Sequence, residues 1–157
     1  QARMSAKRAE KDRRKMRRER EENKKPRCVT CDYCDAEAVY VSSEEVYGGR
    51  YFGMIYLCRP CKAWVGVHKG TAIPLGRLAD KELRDAKIAA HAAFDPLWRR
   101  KMERDKVSKH VARGSGYKWL ATALGIAFGE CHIGMFDVAT CRRVVEIVAA
   151  LSRKEAA

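Results

Sequence analysis

The sequence predicts an α+β fold: a basic arm, then a small cysteine-stapled β ribbon, then a cluster of about four helices. Three observations predict it. Two Cys-x-x-Cys pairs, Cys31-Asp-Tyr-Cys34 and Cys58-Arg-Pro-Cys61, are separated by 23 residues. Between them valine and tyrosine alternate ahead of a Gly-Gly turn, the pattern of a hairpin. After residue 78, apolar residues recur at helical spacing behind aspartates placed as N-caps. These signals set the arm at 1–26, the ribbon at 27–78 and the helical part at 79–157.

The arm is rich in good helix formers, but Met4 and Met16 are its only large apolar residues. With no apolar stripe to bury, it is expected to be a free helix or a disordered segment until it meets a partner. Pro26 punctuates its end. The chain does not begin with methionine, as expected of a trimmed chain or a fragment.

In the ribbon, Val39-Tyr40-Val41 reads as a strand and Tyr47-Gly48-Gly49-Arg50 as the turn, because glycine tolerates positive φ. Tyr51 to Leu57 is the return strand, and Ala63 to Val67 is a third. Five of the six tyrosines fall between positions 33 and 56, with Phe52 among them. Such a density serves either as the core of a small sheet or as a platform on which bases stack. His68-Lys-Gly-Thr71 and Pro74-Leu-Gly76 form a loop. In the helical part, Asp80 caps a helix through Ala93, with Leu83, Lys87 and Ala90 on successive turns. Asp95-Pro96 restarts a helix that carries Arg99-Arg100-Lys101 and stops near Gly114-Ser-Gly116. Tyr117 to Leu124 is a short helix ended by Gly125. Asp137 caps the last one, which buries Cys141, Val144, Val145, Val148 and Leu151.

Paired Cys-x-x-Cys motifs at this separation supply the four thiolates of a structural zinc ribbon, here Cys31, Cys34, Cys58 and Cys61 holding one Zn2+. Asp35 stands where a knuckle commonly uses glycine, and aspartate tolerates the left-handed conformation better than most residues. Cys28 forms a further Cys-x-x-Cys with Cys31 and is the alternative ligand. His68 would be a ligand only in an open, catalytic site. Cys131, His132 and Cys141 are too few and too irregularly spaced for a second site, and free cysteine is among the most buried residue types. His91 reads as a packing or capping residue. The chain carries no GxSxG, no phosphate-binding Gly-Lys loop and no HExxH.

The net charge of +13 is concentrated in two blocks. Residues 1–27 hold 13 Lys/Arg against 5 Asp/Glu, and residues 97–118 hold 8 against 2, leaving the rest near neutral. A polyanion is the partner this distribution fits, nucleic acid above all. The bland reading of the same charge is a solvated, solubilising surface. No apolar run is long enough to span a bilayer and nothing resembles a signal peptide. Cysteines at metal spacing suit a reducing interior, so a cytoplasmic location is expected.

Several motifs in order resemble a known family: Cys31-Asp-Tyr-Cys34, Val46-Tyr-Gly48, Cys58-Arg-Pro-Cys-Lys-Ala-Trp-Val-Gly66, His68-Lys-Gly-Thr71 and Pro74-Leu-Gly76. So do Ala90-His-Ala-Ala-Phe-Asp-Pro-Leu-Trp98, Tyr117-Lys-Trp-Leu-Ala121 and Cys131-His-Ile-Gly-Met-Phe-Asp137. They resemble the zinc-finger-containing domain proteins of bacteriophages and bacterial mobile regions, over roughly residues 30–150. The resemblance implies zinc binding by the four cysteines and brings no established activity. The arm lies outside it.

The expected function is non-enzymatic nucleic-acid binding, mainly through phosphates. Arg50, Lys62, His68 and Lys69 would serve from the ribbon, and Arg13, Arg14, Arg17 and Arg18 from the arm. Arg99, Arg100 and Lys101 would add grip from the helical part. The alternatives are an accessory subunit of a polymerase or ribonucleoprotein machine and, more remotely, a metal-dependent nuclease using His68.

Overall fold

The computed structural model describes residues 2–155, with side chains from 7 to 154. The outermost expected residues of the arm and helical part (1, 156 and 157) and the side chain of Met4 lie outside the described residues. The chain divides between Leu78 and Ala79 into two units, each with its own core.

The first unit begins with helix α1, Ala2–Glu22. Every side chain described in it is exposed, so it rests on propensity and on neighbouring ion pairs such as Glu10–Arg14 at 2.9 Å. Its end is tied down. Asn23 O accepts from Ala72 N at 2.7 Å. The Tyr56 hydroxyl accepts from Arg27 N at 2.9 Å and donates to Ala72 O at 2.7 Å.

Three antiparallel strands follow in the order β1 (Val39–Ser42), β2 (Met54–Cys58) and β3 (Ala63–Gly66). Tyr40 pairs with Tyr56 and Tyr56 with Val65. The expected return strand starts three residues late. Ser43, a buried polar residue, holds the loop before it: its Oγ accepts from Phe52 N at 2.7 Å and its N–H donates to Gly53 O at 3.0 Å. Gly48 and Gly49 take φ of 61° and 82°, so the expected turn forms there, inside a longer loop. The core is small: Cys31, Ala38, Tyr56, Cys58, Ala63, Val65 and Leu78. Of the tyrosines, Tyr56 is fully buried in this core, whereas Tyr51 is 61% exposed.

The second unit holds α2 (Lys81–Asp105), α3 (Lys109–Leu124) and α4 (Val138–Glu155). Asp80 caps α2 through Leu83 N, and the Asp137 carboxylate accepts from Thr140 N at 2.8 Å, both as expected. Two expected breaks are absent. Helix α2 runs through Pro96, because its buried stripe of Leu83, Ala90, Phe94 and Trp98 continues on both sides of the proline. That packing outweighs a cost of about 3 kcal/mol for an interior proline. Asp95 is accordingly no cap; its carboxylate accepts from Trp98 Nε1 at 3.0 Å. The break falls instead at Lys106, left-handed at φ 53°, and Ser108 then caps α3.

Helix α3 passes through Gly114-Ser-Gly116 for a reason of packing. A Cβ on Gly116 would lie 3.1 Å from Phe94 Cζ and 3.3 Å from Trp98 Cβ, so glycine permits the close approach of α3 to α2. Of the expected inner face of α4, Cys141, Val144 and Val148 are buried, while Val145 and Leu151 are half-buried. A Cβ on Gly114 meets nothing within 4 Å. Gly116→Val therefore lowers stability by about 1–3 kcal/mol through overpacking. Gly114→Ala raises it by about 0.5–1 kcal/mol through helix propensity. Urea unfolding followed by far-UV circular dichroism measures both.

Candidate metal centre

Each Cys-x-x-Cys pair sits on a knuckle that turns the chain back on itself. In the first, Cys31 N donates to Ala36 O at 2.8 Å and Asp35 N to Cys31 O at 3.0 Å. Tyr33 N points at Cys31 Sγ at 3.5 Å. Asp35 takes φ 58°, the left-handed conformation expected from its place after Cys34. Lys62 holds the matching place after Cys61, with φ 51° and its N–H donating to Arg59 O at 3.2 Å. Sequence reading gave Lys62 only a phosphate role; its symmetry with Asp35 was the available signal for the backbone one. The second knuckle is the link between β2, which ends in Cys58, and β3, which starts at Ala63.

The knuckles bring Cys31, Cys34, Cys58 and Cys61 together with all four sulfurs within 4.8 Å of one another. Cys34 Sγ and Cys58 Sγ are 3.6 Å apart. A tetrahedral zinc with bonds of about 2.3 Å sets its sulfurs about 3.8 Å apart, so the donor set fits in number, chemistry and spacing. Hydrogen bonding to Cys34 and then burial push the Cys61 thiol up to about 12. Crowded thiols of this kind ionise together only around a cation. Cys28 is exposed and outside the cluster, as is His68. Among the described residues no other grouping of three or more histidine, cysteine or acidic side chains has ligand geometry. Cys131 and Cys141 are buried in the helical core, and burial pushes the Cys131 thiol up to about 11. His132 instead stacks on Tyr117, with ring centroids 5.7 Å apart.

The expected cationic residues fall into separate groups. Arg13 and Arg17 line a hollow of about 770 Å³ together with Arg20, Lys24 and the Gly70-Thr71 turn. Sequence reading missed Arg20 and Lys24, although 13, 17, 20 and 24 share the helical period. Arg14 lines a different face of α1 and pairs with Glu10; Arg18 is exposed on the helix and borders neither hollow. His68 and Lys69 line a second hollow of about 740 Å³, where Tyr47, Phe52 and Trp64 gather. Arg50 is exposed beside the Gly-Gly turn, and Lys62 borders a small hollow with Glu45 and Arg59. In the second unit Arg99 lies over the Trp98 ring at 5.3 Å, Arg100 is exposed, and Lys101 pairs with Asp105 at 2.6 Å. Because the helix breaks at Lys106, the basic block there is split, and Lys109, His110 and Arg113 gather near His132. No described helix is long and apolar enough to cross a membrane.

The first unit is thus a four-thiolate zinc ribbon carrying a helical arm, and the second a three-helix cluster. The chain belongs to the zinc-finger-containing domain family, whose family model matches residues 27–151. No curated protein and no solved structure matches it.

Cys58→Ser abolishes stoichiometric zinc, whereas Cys28→Ser and His68→Ala each keep one equivalent. Metal analysis of the purified variants by mass spectrometry checks this.

Proposed function

We propose that this protein binds nucleic acid without performing chemistry on it, gripping phosphates with a helix that the zinc ribbon positions. One observation carries the reading. Arg13, Arg17 and Arg20 lie on one face of α1, over about 10 Å of helix, Lys24 follows in the turn just past its end, and all four border one hollow with the ribbon turn Gly70-Thr71. A merely solubilising arm has no need of a fixed exit. This one leaves the ribbon through the bonds that Asn23 and Arg27 make to Ala72 and Tyr56. The pairs Arg13–Glu10 at 3.5 Å and Lys24–Glu21 at 2.9 Å are exposed, weak and readily exchanged for phosphate.

The absence of chemistry is supported by the donor set. Four thiolates fill a tetrahedral zinc and leave no position for water or substrate. The thiolate site and the cationic face together fit a reducing compartment that holds nucleic acid, such as the cytoplasm.

Four neutralised phosphates give a log–log salt slope of about −3 to −4, hence a loss of about 100-fold in affinity between 50 and 200 mM salt. Replacing Arg13, Arg17 and Arg20 together by serine makes that slope shallower by about 2–3. Fluorescence anisotropy with labelled oligonucleotides at several salt concentrations measures both, and a salt-independent affinity would contradict the reading.

A further inference from the structure

The hollow beside the cationic track differs from it in chemistry. It shares Lys24, Gly70 and Thr71 with the track, but its walls are aromatic. Tyr47 meets Phe52 edge-on at 5.1 Å and Trp64 edge-on at 6.0 Å. Trp64 Nε1 faces the Tyr47 hydroxyl at 3.4 Å. Yet Tyr47 is 44% exposed, Tyr51 61% and Phe52 69%. Large rings left this open cost solvation free energy that burial elsewhere would recover.

The loop that presents them is not loose. Ser43 Oγ accepts from Phe52 N, and Ser43 O accepts from Val46 N and Tyr47 N at 3.1 and 3.0 Å. A buried hydroxyl and carbonyl therefore fix the aromatic residues on both sides of the Gly-Gly turn. Ordering of this kind removes in advance part of the entropy that a ligand would otherwise have to overcome.

Charge decides what the ligand is. Lys24, His68 and Lys69 border the cleft, and among the described residues no acidic side chain lines it. An apolar peptide would have no use for Lys24 and Lys69, and a cationic one would be repelled by them. A single-stranded nucleic acid supplies both halves, flat bases for the rings and phosphates for the cations. A duplex supplies only the phosphates, since its bases are already stacked and unstacking costs a few kcal/mol per step.

We infer that the Tyr47–Phe52–Trp64 cleft takes unstacked bases of single-stranded nucleic acid. The backbone passes Lys24 and continues along Arg20, Arg17 and Arg13. The inference rests on the phosphate-binding reading and adds to it the strand state of the ligand and the site of its bases.

The test uses the full-length zinc-loaded protein and three labelled probes of about twelve nucleotides: oligothymidylate, the same backbone without bases, and a duplex. Oligothymidylate binds about 10-fold or more tighter than the abasic strand at equal salt. Tyr51→Ala combined with Phe52→Ala removes that advantage, leaves abasic binding and zinc content unchanged, and Phe52→Trp retains it. Both residues are exposed, so the variants fold, and the comparison of probes needs no variant at all. Equal affinity for the abasic and base-bearing strands, each still steeply salt-dependent, overturns the cleft and leaves the phosphate reading standing. Absence of binding to all three probes overturns both.

Discussion

Four sulfurs held within 4.8 Å of one another are the constraint on which the first unit depends. Two of them, Cys31 and Cys58, are themselves core residues, in a small core that otherwise holds Ala38, Tyr56, Ala63, Val65 and Leu78. Apolar burial on that scale does not hold a fold against chain entropy. A metal that binds only the folded arrangement supplies what is missing, so its binding energy becomes folding energy. The placement of the ligands makes the effect global within the ribbon. Cys31 and Cys34 precede β1, Cys58 ends β2, and Cys61 leads into β3. Every strand is thereby tied to the metal, and the aromatic loop between β1 and β2 with them.

The Tyr56 hydroxyl extends this brace to the arm. It sits fully buried on the central strand and is satisfied as acceptor from Arg27 N and donor to Ala72 O. The exit of α1 and the turn that follows β3 are fixed by the same atom. This is how a helix whose described side chains are all exposed acquires a defined origin, and why the proposed phosphate track and base cleft are continuous at Lys24, Gly70 and Thr71. Under the proposed reading the metal performs no chemistry; it decides where cations and rings stand.

What was legible in the sequence was what local chemistry dictates. Cysteine spacing gave the ligands, Asp35 announced its left-handed knuckle, and Asp80 and Asp137 marked helix starts through their carboxylates. What was not legible depends on partners distant in sequence. Pro96 and Gly116 look like breaks locally, but one is carried by a buried stripe and the other makes room for Phe94 and Trp98. Lys62 as a residue type gives no sign of positive φ, because lysine has no preference for that conformation; only its place after Cys61, matching that of Asp35 after Cys34, marks it. The division of the tyrosines into core and cleft turns on Ser43, whose burial no pattern in the chain foretells.

The metal organises the ribbon and leaves the helical unit to its own core. Amide hydrogen exchange of the full chain, with zinc bound and after chelation, tests it most directly. Amides of 27–78 are expected to lose protection together on chelation, those of the 43–53 loop and Ala72 included. Those of α2, α3 and α4 keep theirs, since their core holds no ligand. A ribbon that stays protected without metal, or helices that melt with it, would contradict the claim.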